Sequence, residues 1–432
     1  MELRSGYRKT EIGIIPEEWE IKTFNELFDF TGGFSASRDQ LSSEGHYYLH
    51  YGDIHGSAKS YIDSRADSQD IPRLNIPLKQ VSPGSLLKDG DVVFVDASED
   101  DEGASKHVVV VNKDNLPFIS GLHTIVAKSR TDELVHDYRR YCFQTSSIRQ
   151  QFRFYAAGTK VLGISKSNIR RLLLPIPLFP EQRAIAEALS DVDGLLRGLD
   201  WLIAKKRDLK QAAMQQLLTG QTRLPGFTGE WEVKRLGNHV TFLRNGVNSR
   251  AELRVEGDVK YLHYGDVHAC NEVFMSPESM PALPAIKAAT LDRLFDGDPI
   301  FADASEDIVG VSKSVEITNV GSTEVVSGLH TIAARFDKQI LADGFKGFLQ
   351  FCPSFATHLR RLAAGTKVYA TNRAHIASAE MQLPTVAEQT AIAAVLSDMD
   401  AELAALEARR DKTRTLKQAM MQELLTGRTR LV

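Results

Sequence analysis

The sequence predicts an α+β protein in which two β-rich globular regions are each followed by one long helix. The main observation is an internal repeat: EQRAIAEALSDVDGLLRGLD, from Glu181, returns as EQTAIAAVLSDMDAELAALE from Glu388, 207 positions later (388 − 181). LKQAAMQQLLTGQTRL, from Leu209, returns as LKQAMMQELLTGRTRL from Leu416 at the same offset. The second observation is that helix-like periodicity and short β-branched runs alternate along each copy. A repeat of this length indicates one architectural unit built twice.

Both helical segments have apolar residues that step by four and three, which is the spacing of a coiled-coil seam. The predicted seam residues are Ile185, Leu189, Val192, Leu196, Leu199 and Ile203 in the first helix, and Ile392, Leu396, Met399, Leu403 and Leu406 in the second. The seam then shifts by one residue before Leu209, Ala213 and Leu217, so one uninterrupted heptad register is excluded.

Local signals predict where both helices begin and end. Pro180 suits a first helical turn, and Thr385-x-x-Glu388 has the pattern of a capping box. Gly220 and Gly427 suit helix ends. We therefore divide the chain into residues 1–180, a central helix at 181–220, residues 221–387 and a C-terminal helix at 388–432.

Two long helices in one chain most simply bury their apolar stripes against each other. The short connection from Gly220 to Trp231 favours antiparallel over parallel pairing. With one globular region before each helix, this arrangement predicts a pseudo-two-fold, nearly circular molecule.

The composition narrows the class of protein. The 432 residues carry a formal net charge of −4, and 43% of them are hydrophobic, which is ordinary for a soluble globular protein of several domains. We find neither a membrane-length apolar run nor the apolar core of a signal peptide. The three cysteines occupy different repeat positions, which argues against a disulfide or zinc framework and predicts a cytoplasmic protein.

The globular regions repeat short motifs as well. LHYGD, DASED, SGLHT and AAGTKV each occur twice, and from Asp89 onward their offset is 207. VVFVDA, HVVVV and HTIVA are β-branched runs bounded by turn residues, which predicts short strands. Residues 132–152 and 341–362 are predicted to be helical, and the strand order cannot be derived.

The repeated loops contain polar residues that admit more than one interpretation. One set comprises His50, Asp53, His55 and His123, with counterparts His263, Asp266, His268 and His330. A metal site is one interpretation, but a loop-binding hydrogen-bond network is favoured, because no helical ligand pair or cysteine accompanies these residues. The DASED motifs at Asp96 and Asp303 could supply an acid–base carboxylate pair, although a turn is favoured. The Glu-x-Lys sequences at Glu20 and Glu232 are interpreted as coincidental matches to a nuclease site.

We find no phosphate-binding glycine loop, Walker motif, nucleophile elbow or DNA amino-methyltransferase motif. The sequence is therefore interpreted as non-catalytic, with no cofactor and no metal. Repeated cations suggest phosphate contacts instead. These pairs are Lys160 with Lys367, Lys106 with Lys313, and Arg38 with Arg250.

With the repeat established, the chain resembles the specificity subunits of type I restriction–modification enzymes. The resemblance rests on TEIGIIPEEWEIK from Thr10, PGFTGEWEVKRLG from Pro225, and AAGTKVLGISKSNIRRLLLPIPLFPEQRAIAEALSDVD from Ala156. It implies that each globular region is a target recognition domain for one half of a bipartite DNA sequence. It also implies that the helices set the gap and dock methyltransferase subunits, two in number, with endonuclease subunits in the full complex. A nuclease with its own recognition domains and a scaffold that does not bind DNA remain the alternatives.

If each region reads a different half-site, the shared motifs cannot supply the difference. The divergent stretches are 34–44 against 247–256, and 56–87 against 269–294. Arginine prefers guanine and asparagine prefers adenine in the major groove. The candidate base-contacting residues are Ser37, Lys59, Arg73 and Asn75 in the first region, and Asn245, Asn248, Asn271 and Arg293 in the second.

Overall fold

The computed structural model describes residues 5–57, 59–98, 106–158 and 162–432. The chain forms two compact units, and each contains one globular region with parts of both long helices. The first unit comprises Met1–Leu199 together with Arg409–Val432, and the second comprises Asp200–Ala408.

The first globular region is built from short strands and one- to three-turn helices. Its strands are β1 (Tyr7–Thr10), β2 (Gly13–Pro16), β3 (Glu20–Thr23), β4 (Phe28–Gly32), β5 (Leu41–Ser42), β6 (His46–Leu49), β7 (Tyr61–Asp63), β8 (Arg73–Leu74), β9 (Val92–Val95), β10 (Ala97–Ser98), β11 (His107–Val111), β12 (Phe118–Ser120), β13 (Thr124–Ser129), β14 (Leu162–Gly163) and β15 (Leu173–Ile176). Its helices are α1 (Phe24–Leu27), α2 (Tyr51–Gly56), α3 (His136–Cys142), α4 (Ser146–Tyr155) and α5 (Lys166–Ile169).

Two sheets form the centre of this region. One has the order β4-β13-β9-β11-β7 and the other β12-β6-β8-β5. Pairing is antiparallel except between β11 and β7 and between β12 and β6, which are parallel. The ribbons β3–β15, β10–β14 and β1–β2 complete the pairing. The runs predicted from VVFVDA, HVVVV and HTIVA are confirmed as β9, β11 and β13.

The core of the first region is aromatic. Phe24, Phe94 and Phe143 are fully buried, with ring centroids 5.3 to 6.0 Å apart. All four residues of β9 are buried, because this strand lies inside the five-stranded sheet. Burial of such side chains stabilises the fold by about 1.5–3 kcal/mol each.

The predicted helix at 132–152 is divided into α3 and α4. Thr145 starts the second helix, since its hydroxyl accepts a hydrogen bond from the Ile148 N–H at 3.2 Å. A side-chain cap of this kind favours a new helix start over continuation of the preceding helix.

The long helices are α6 (Phe179–Leu217), named the central helix, and α11 (Val386–Leu424), named the C-terminal helix. Each helix is followed, three residues after its last residue, by a glycine in the left-handed region, with φ of 72° at Gly220 and 70° at Gly427. The Glu388 N–H donates to the Thr385 hydroxyl at 3.4 Å at the start of the C-terminal helix. A long helix after each globular region is therefore confirmed.

The second globular region repeats the design of the first. Its strands are β16 (Glu232–Arg235), β17 (Val240–Phe242), β18 (Val259–Leu262), β19 (Phe274–Met275), β20 (Ala282–Leu283), β21 (Pro299–Ala302), β22 (Ala304–Ser305), β23 (Ser314–Ile317), β24 (Glu324–Ser327), β25 (Thr331–Phe336), β26 (Tyr369–Ala370) and β27 (Glu380–Leu383). Its helices are α7 (Tyr264–Ala269), α8 (Ala285–Ala288), α9 (Pro353–Leu362) and α10 (Arg373–Ala377). The main sheet has the order β17-β25-β21-β23-β19, and the smaller one β20-β18-β24. Of the predicted helix at 341–362, only α9 is α-helical, preceded by a 3₁₀ segment at Lys346–Phe351.

Within the first unit, the beginning of the central helix packs against the end of the C-terminal helix. Ile185 and Leu189 share a buried cluster with Leu424 and Leu425. Within the second unit, Leu217 shares a cluster with Ile392 and Leu396. In both units the helical segments therefore run antiparallel.

The apolar seam is narrower than the sequence predicts. The predicted seam residues that are buried are Ile185, Leu189, Leu199, Ile203, Ile392, Leu396 and Leu403, whereas Val192, Leu196, Met399 and Leu406 are half-buried. The assignment of Leu209 to the shifted seam is wrong, because its side chain is 48% exposed. The neighbouring Lys210 forms an ion pair with Asp400 instead, and Lys206 pairs with Glu402 at 2.7 Å.

Candidate nucleic-acid interface

Loops at one end of the main sheet in the first unit converge on a polar cluster. We name the following residues the first loop cluster: Arg38, Tyr51, Asp53, His55, Asp96 and His123. Helix α2 supplies Tyr51, Asp53 and His55, and the loop before β5 supplies Arg38. Asp96 precedes β10, and His123 precedes β13.

His50 caps helix α2. Its Nδ1 accepts a hydrogen bond from the Gly52 N–H at 3.1 Å, which requires an unprotonated ring nitrogen. Burial lowers the pKa of His50, and the Arg38 guanidinium lowers it further. Arg38 in turn donates to Asp53 Oδ1 at 2.8 Å. The histidine is therefore a neutral structural cap beside an ion pair.

His123 holds a tight turn against Asp96. It has a φ of 56°, which is uncommon for a residue with a side chain. Its ring nitrogen lies 3.2 Å from Asp96 Oδ1, and its ring packs edge-on against Tyr51 at 5.3 Å. The Asp96 carbonyl accepts from the Ile164 N–H at 2.8 Å. Asp96 thus joins three loops through backbone and side chain.

The buried Tyr48 hydroxyl connects the outer loops to β6. It accepts hydrogen bonds from the N–H groups of Ala36 at 3.1 Å and Leu122 at 2.9 Å, and donates to the Phe34 carbonyl at 2.8 Å. Burial raises the pKa of this phenol, which therefore stays protonated. This single hydroxyl fixes the entrance to the divergent stretch 34–44.

The second unit reproduces these contacts. We name its set the second loop cluster: Arg250, Tyr264, Asp266, His268, Asp303 and His330. Arg250 pairs with Asp266 at 2.5 Å, His330 lies 3.1 Å from Asp303, and His330 has a φ of 55°. His263 caps α7 at 3.2 Å, and Tyr261 takes the place of Tyr48. Burial lowers the pKa of His263, with the Arg250 charge as the second cause.

The two clusters differ at one carboxylate. Asp266 Oδ2 accepts from the His263 N–H at 3.0 Å. In the first cluster Asp53 Oδ2 is buried and has no hydrogen-bond partner among the described residues. The prediction that the repeated histidines and aspartates hydrogen-bond loops together is confirmed by these contacts. In the described residues no group of three or more His, Cys, Asp or Glu side chains is arranged to hold a metal.

Two of the predicted site residues of the first unit lie beside its cluster. Ser37 is an exposed cap next to Arg38. The Lys106 ammonium donates to the His55 carbonyl at 2.5 Å. Both residues therefore border helix α2 and its ion pair.

Two predicted residues of the second unit occupy comparable places. Lys313 lies close enough to Cys270, which follows α7, to favour its thiolate, although burial dominates and raises the pKa of that cysteine. The Asn248 amide donates to the Glu252 carboxylate at 3.0 Å. The Asn248 carbonyl also accepts a hydrogen bond from the Tyr261 hydroxyl, which connects Asn248 to the second loop cluster.

A short β-ribbon carries the second AAGTKV motif. Lys367 is exposed in the turn between the paired residues Ala364 and Ala370. This turn adjoins the second cluster, because the Thr371 N–H donates to the Asp303 carbonyl at 2.8 Å. Lys160, the counterpart of Lys367, lies outside the described residues.

Of five other predicted residues, three have structural partners. Lys59 pairs with Asp67 at 2.5 Å, Arg293 pairs with Glu324 at 2.6 Å, and the Arg73 guanidinium lies 4.7 Å from the Tyr47 ring centre. Asn75 and Asn271 are exposed. These five remain candidate base-contacting residues.

Lys166 and Arg373, which the sequence patterns did not predict as site residues, occupy corresponding positions. Arg373 donates to the Leu243 carbonyl at 2.7 Å and to Asn245 Oδ1 at 3.2 Å. The Lys166 ammonium lies 3.5 Å from where a Cβ on Gly32 would stand. Both cations border the loop that enters a cluster. Their offset of 207 is visible in the sequence (373 − 166), but the exchange of lysine for arginine conceals it.

Comparison with known proteins agrees with this duplicated architecture. Residues 16–199 match the family model for the type I restriction modification DNA specificity domain. A candidate specificity subunit of the type I restriction enzyme MjaX from Methanocaldococcus jannaschii is 22% identical, over 99% of this chain and 97% of that protein. No helix in the described residues has the length and hydropathy needed to cross a membrane.

Two solved structures share the fold. The S subunit of a type I restriction–modification system from M. genitalium matches with a TM-score of 0.55 and 13% identity, over 98% of each chain. A chain from a study of complex assembly and conformational transition of the type I system matches with a TM-score of 0.59 and 16% identity, over 96% of this chain and 99% of that one. By family model, by relatives and by fold, the resemblance of this chain to the specificity subunits of type I restriction–modification enzymes is confirmed.

Proposed function

We propose that this chain is the DNA sequence-recognition subunit of a type I restriction–modification complex, with each globular region binding one half of a bipartite target. The observation that carries the proposal is the duplicated loop cluster in a chain that resembles specificity subunits along its whole length. Two copies of one binding framework, joined in one chain, suit a target with two halves. Linking two half-site binders also raises affinity through effective concentration.

The first step in this function is contact with the phosphate backbone. The side chains of Arg38 and Arg250 are 60% and 54% exposed although each pairs with an aspartate. Exposed ion pairs of this kind contribute little to stability, so a phosphate can compete for the guanidinium. Lys367 is exposed as well, and we assign the same role to Lys160, Lys106 and Lys313. Such contacts position a protein on DNA without reading its sequence.

The second step is readout by the divergent loops. Tyr48 and Tyr261 hold the stretches 34–44 and 247–256 by equivalent hydrogen bonds, which their hydroxyls accept from the Ala36 and Asn248 N–H groups. The framework therefore presents different residues from equivalent positions. We assign base contacts to Ser37, Lys59, Arg73, Asn75, Asn245, Asn248, Asn271 and Arg293.

The third step is spacing. Each long helix has 39 residues, which corresponds to about 58 Å at 1.5 Å per residue. We propose that the antiparallel helices set the gap between half-sites and dock two methyltransferase subunits, with endonuclease subunits in the complete complex. In this scheme the chain is non-catalytic, needs no cofactor and acts in the cytoplasm.

A direct test is to determine the methylated motif in a host that expresses the chain with its methyltransferase partner. We expect one bipartite motif, and replacing residues 247–256 and 269–294 by those of another specificity subunit should change one half only. A change in both halves, or a continuous motif, would contradict the proposal.

Two measurements on the purified chain distinguish the alternatives. Salt-dependent binding to duplex DNA separates a recognition subunit from a scaffold, which shows no counterion-release slope. Cleavage of DNA by the purified chain with Mg²⁺ would instead support the nuclease alternative.

A further inference from the structure

The first unit carries a basic surface that the second unit lacks. Residues 145–180 contain six lysines and arginines and no aspartate or glutamate, a net charge of +6. The corresponding residues 352–387 contain four lysines and arginines and one carboxylate, a net charge of +3 (4 − 1). The difference lies in a stretch that the repeat otherwise matches.

In residues 352–387 the single carboxylate is Glu380, and the four cations are Arg360, Arg361, Lys367 and Arg373. Two of these four are held in the fold. Arg373 binds the Leu243 carbonyl, and Arg360 is half-buried, with its Nε lacking a hydrogen-bond partner among the described residues. Only part of the net charge of residues 352–387 is therefore available to bind a ligand.

In the first unit, the cations of this stretch lie on and just after α4 and α5. We name Arg149, Arg153, Lys166, Arg170 and Arg171 the basic surface. All five are exposed, and within the described ranges none of their side chains forms an ion pair or hydrogen bond. Arg149 and Arg153 share one face of α4, four residues apart, where two like charges destabilise a helix slightly. The second unit has alanine or serine at three of the matching positions, namely Ala356, Ala377 and Ser378.

The basic surface borders the first loop cluster. Helices α4 and α5 flank the strand β14, which pairs with β10 next to Asp96. The Asn168 amide donates to the Tyr155 carbonyl at 3.0 Å and so holds the two helices together. The Lys166 ammonium lies beside Gly32, at the end of the strand that leads to the loop of Arg38. A DNA duplex bound at the first loop cluster would therefore continue along this surface.

We propose that the basic surface binds the DNA backbone beside the half-site read by the first unit, so that the first unit makes more phosphate contacts than the second. This inference rests on the proposed function. Duplex DNA fits better than an acidic protein patch because it offers a regular row of phosphates next to a site already assigned to DNA. Phosphate binding of this kind adds sequence-independent affinity and a steeper dependence on salt.

The test compares two variants of the full-length chain that carry the same change in charge. The first replaces Arg149, Arg153, Arg170 and Arg171 by glutamine. The control replaces Arg183, Arg197, Arg409 and Lys412, which are exposed on the long helices, by glutamine. Lys166 is left unchanged because of its position beside Gly32. Binding to a random-sequence duplex of about 40 base pairs is then measured over a range of salt concentrations, and far-UV circular dichroism confirms that both variants are folded.

We expect the salt dependence of the first variant to be shallower. The magnitude of the slope of log K against log salt should decrease by about 0.9 for each phosphate that the variant no longer binds, and by about two units or more in total. The control should change the slope by less than about one unit. Equal slopes for the first variant and the unmodified chain, or equal decreases in both variants, would overturn the inference. Failure of the proposed function is distinguishable, because the unmodified chain would then show no salt-dependent binding at all.

Discussion

The Arg430 guanidinium forms a two-pronged ion pair with the Glu181 carboxylate, which is completely buried at the start of the central helix. One prong joins Arg430 Nη2 to Glu181 Oε2 at 2.9 Å, and the other joins Nε to Oε1. The Trp19 indole donates to the same carboxylate at 2.8 Å. Within the second unit, Arg223 makes the equivalent pair with Glu388. Each unit is therefore closed by an arginine that follows the end of one long helix and a glutamate that begins the other.

Replacing Arg430 by alanine should destabilise the first unit by about 3–5 kcal/mol, because it leaves a buried carboxylate without its partner. The control is Arg428→Ala, whose side chain is 60% exposed and lies 3.7 Å from Glu423, and which should cost less than about 1 kcal/mol. Urea unfolding, monitored by hydrogen exchange in residues of the first unit, measures the free energy of unfolding of both variants. Similar destabilisation in the two variants would show that the buried pair has no special role.

Leu396 and Leu209 offer a matched pair in the second unit. Leu396 is fully buried in the apolar cluster that also contains Leu217, whereas Leu209 is 48% exposed. Aspartate at position 396 should cost several kcal/mol, because it places a charge in an apolar interface, while aspartate at position 209 should cost about 1 kcal/mol or less. Thermal unfolding of both variants checks the assignment of the helix faces. Equal costs would contradict it.

Lys367→Ala should weaken binding to all DNA sequences alike and reduce the salt slope by about one unit. Lys160→Ala is expected to act in the same way. Electrophoretic shift assays at several salt concentrations provide the measurement, with the exposed helix residue Lys412→Ala as the control. An altered target preference with an unchanged slope would indicate that these lysines contact bases.

A chain that carries the first globular region in both positions should direct methylation of an interrupted palindrome. The pseudo-two-fold arrangement that the repeat predicts would relate two identical regions by a two-fold axis, so we expect their half-sites to be read on opposite strands. Sequencing the methylated motif provides the readout. A direct repeat of one half-site would contradict the pseudo-two-fold arrangement.

The stability of the second unit should depend on the protonation of Glu316. Burial raises the pKa of this carboxyl from 4.5 to about 7, although it accepts hydrogen bonds from the Gly344 and Gly347 N–H groups. Between these two pH values the folded unit retains a proton that the unfolded chain has released, so stability falls as the pH rises, by about 3 kcal/mol over this window. Glu316→Gln should flatten this part of the stability profile, whereas the exposed Glu278→Gln should not. A decline of the same steepness in Glu316→Gln would contradict the assignment.

The sequence predicts some features of this protein better than others, for physical reasons. The long helices were predictable because their period, caps and terminal glycines are local signals. The strand order was not, because pairs such as β6 with β12 join residues about 70 positions apart and leave no local pattern. The Arg430–Glu181 pair was not predictable for the same reason, since it spans 249 positions.

The candidate site shows the same division. Identical residues in repeated motifs predicted most members of the loop clusters, but not which of their side chains bind each other. Leu209 was misassigned because periodicity places a residue on a helix face without showing whether a partner residue faces it. The basic surface was not predictable from motifs that the two copies share, because it is present in only one of them.

The division of the chain between the units has a consequence for biosynthesis. The second unit consists of the continuous residues 200–408, whereas the first requires residues 409–432, including Leu424, Leu425 and Arg430. A ribosome therefore synthesises every residue of the second unit before the segment that completes the first. The unit whose synthesis begins first is thus completed last, and a chain interrupted near residue 408 contains every residue of the second unit but leaves the core of the first open. Loss of a few C-terminal residues should thus expose the N-terminal half of the protein to proteolysis.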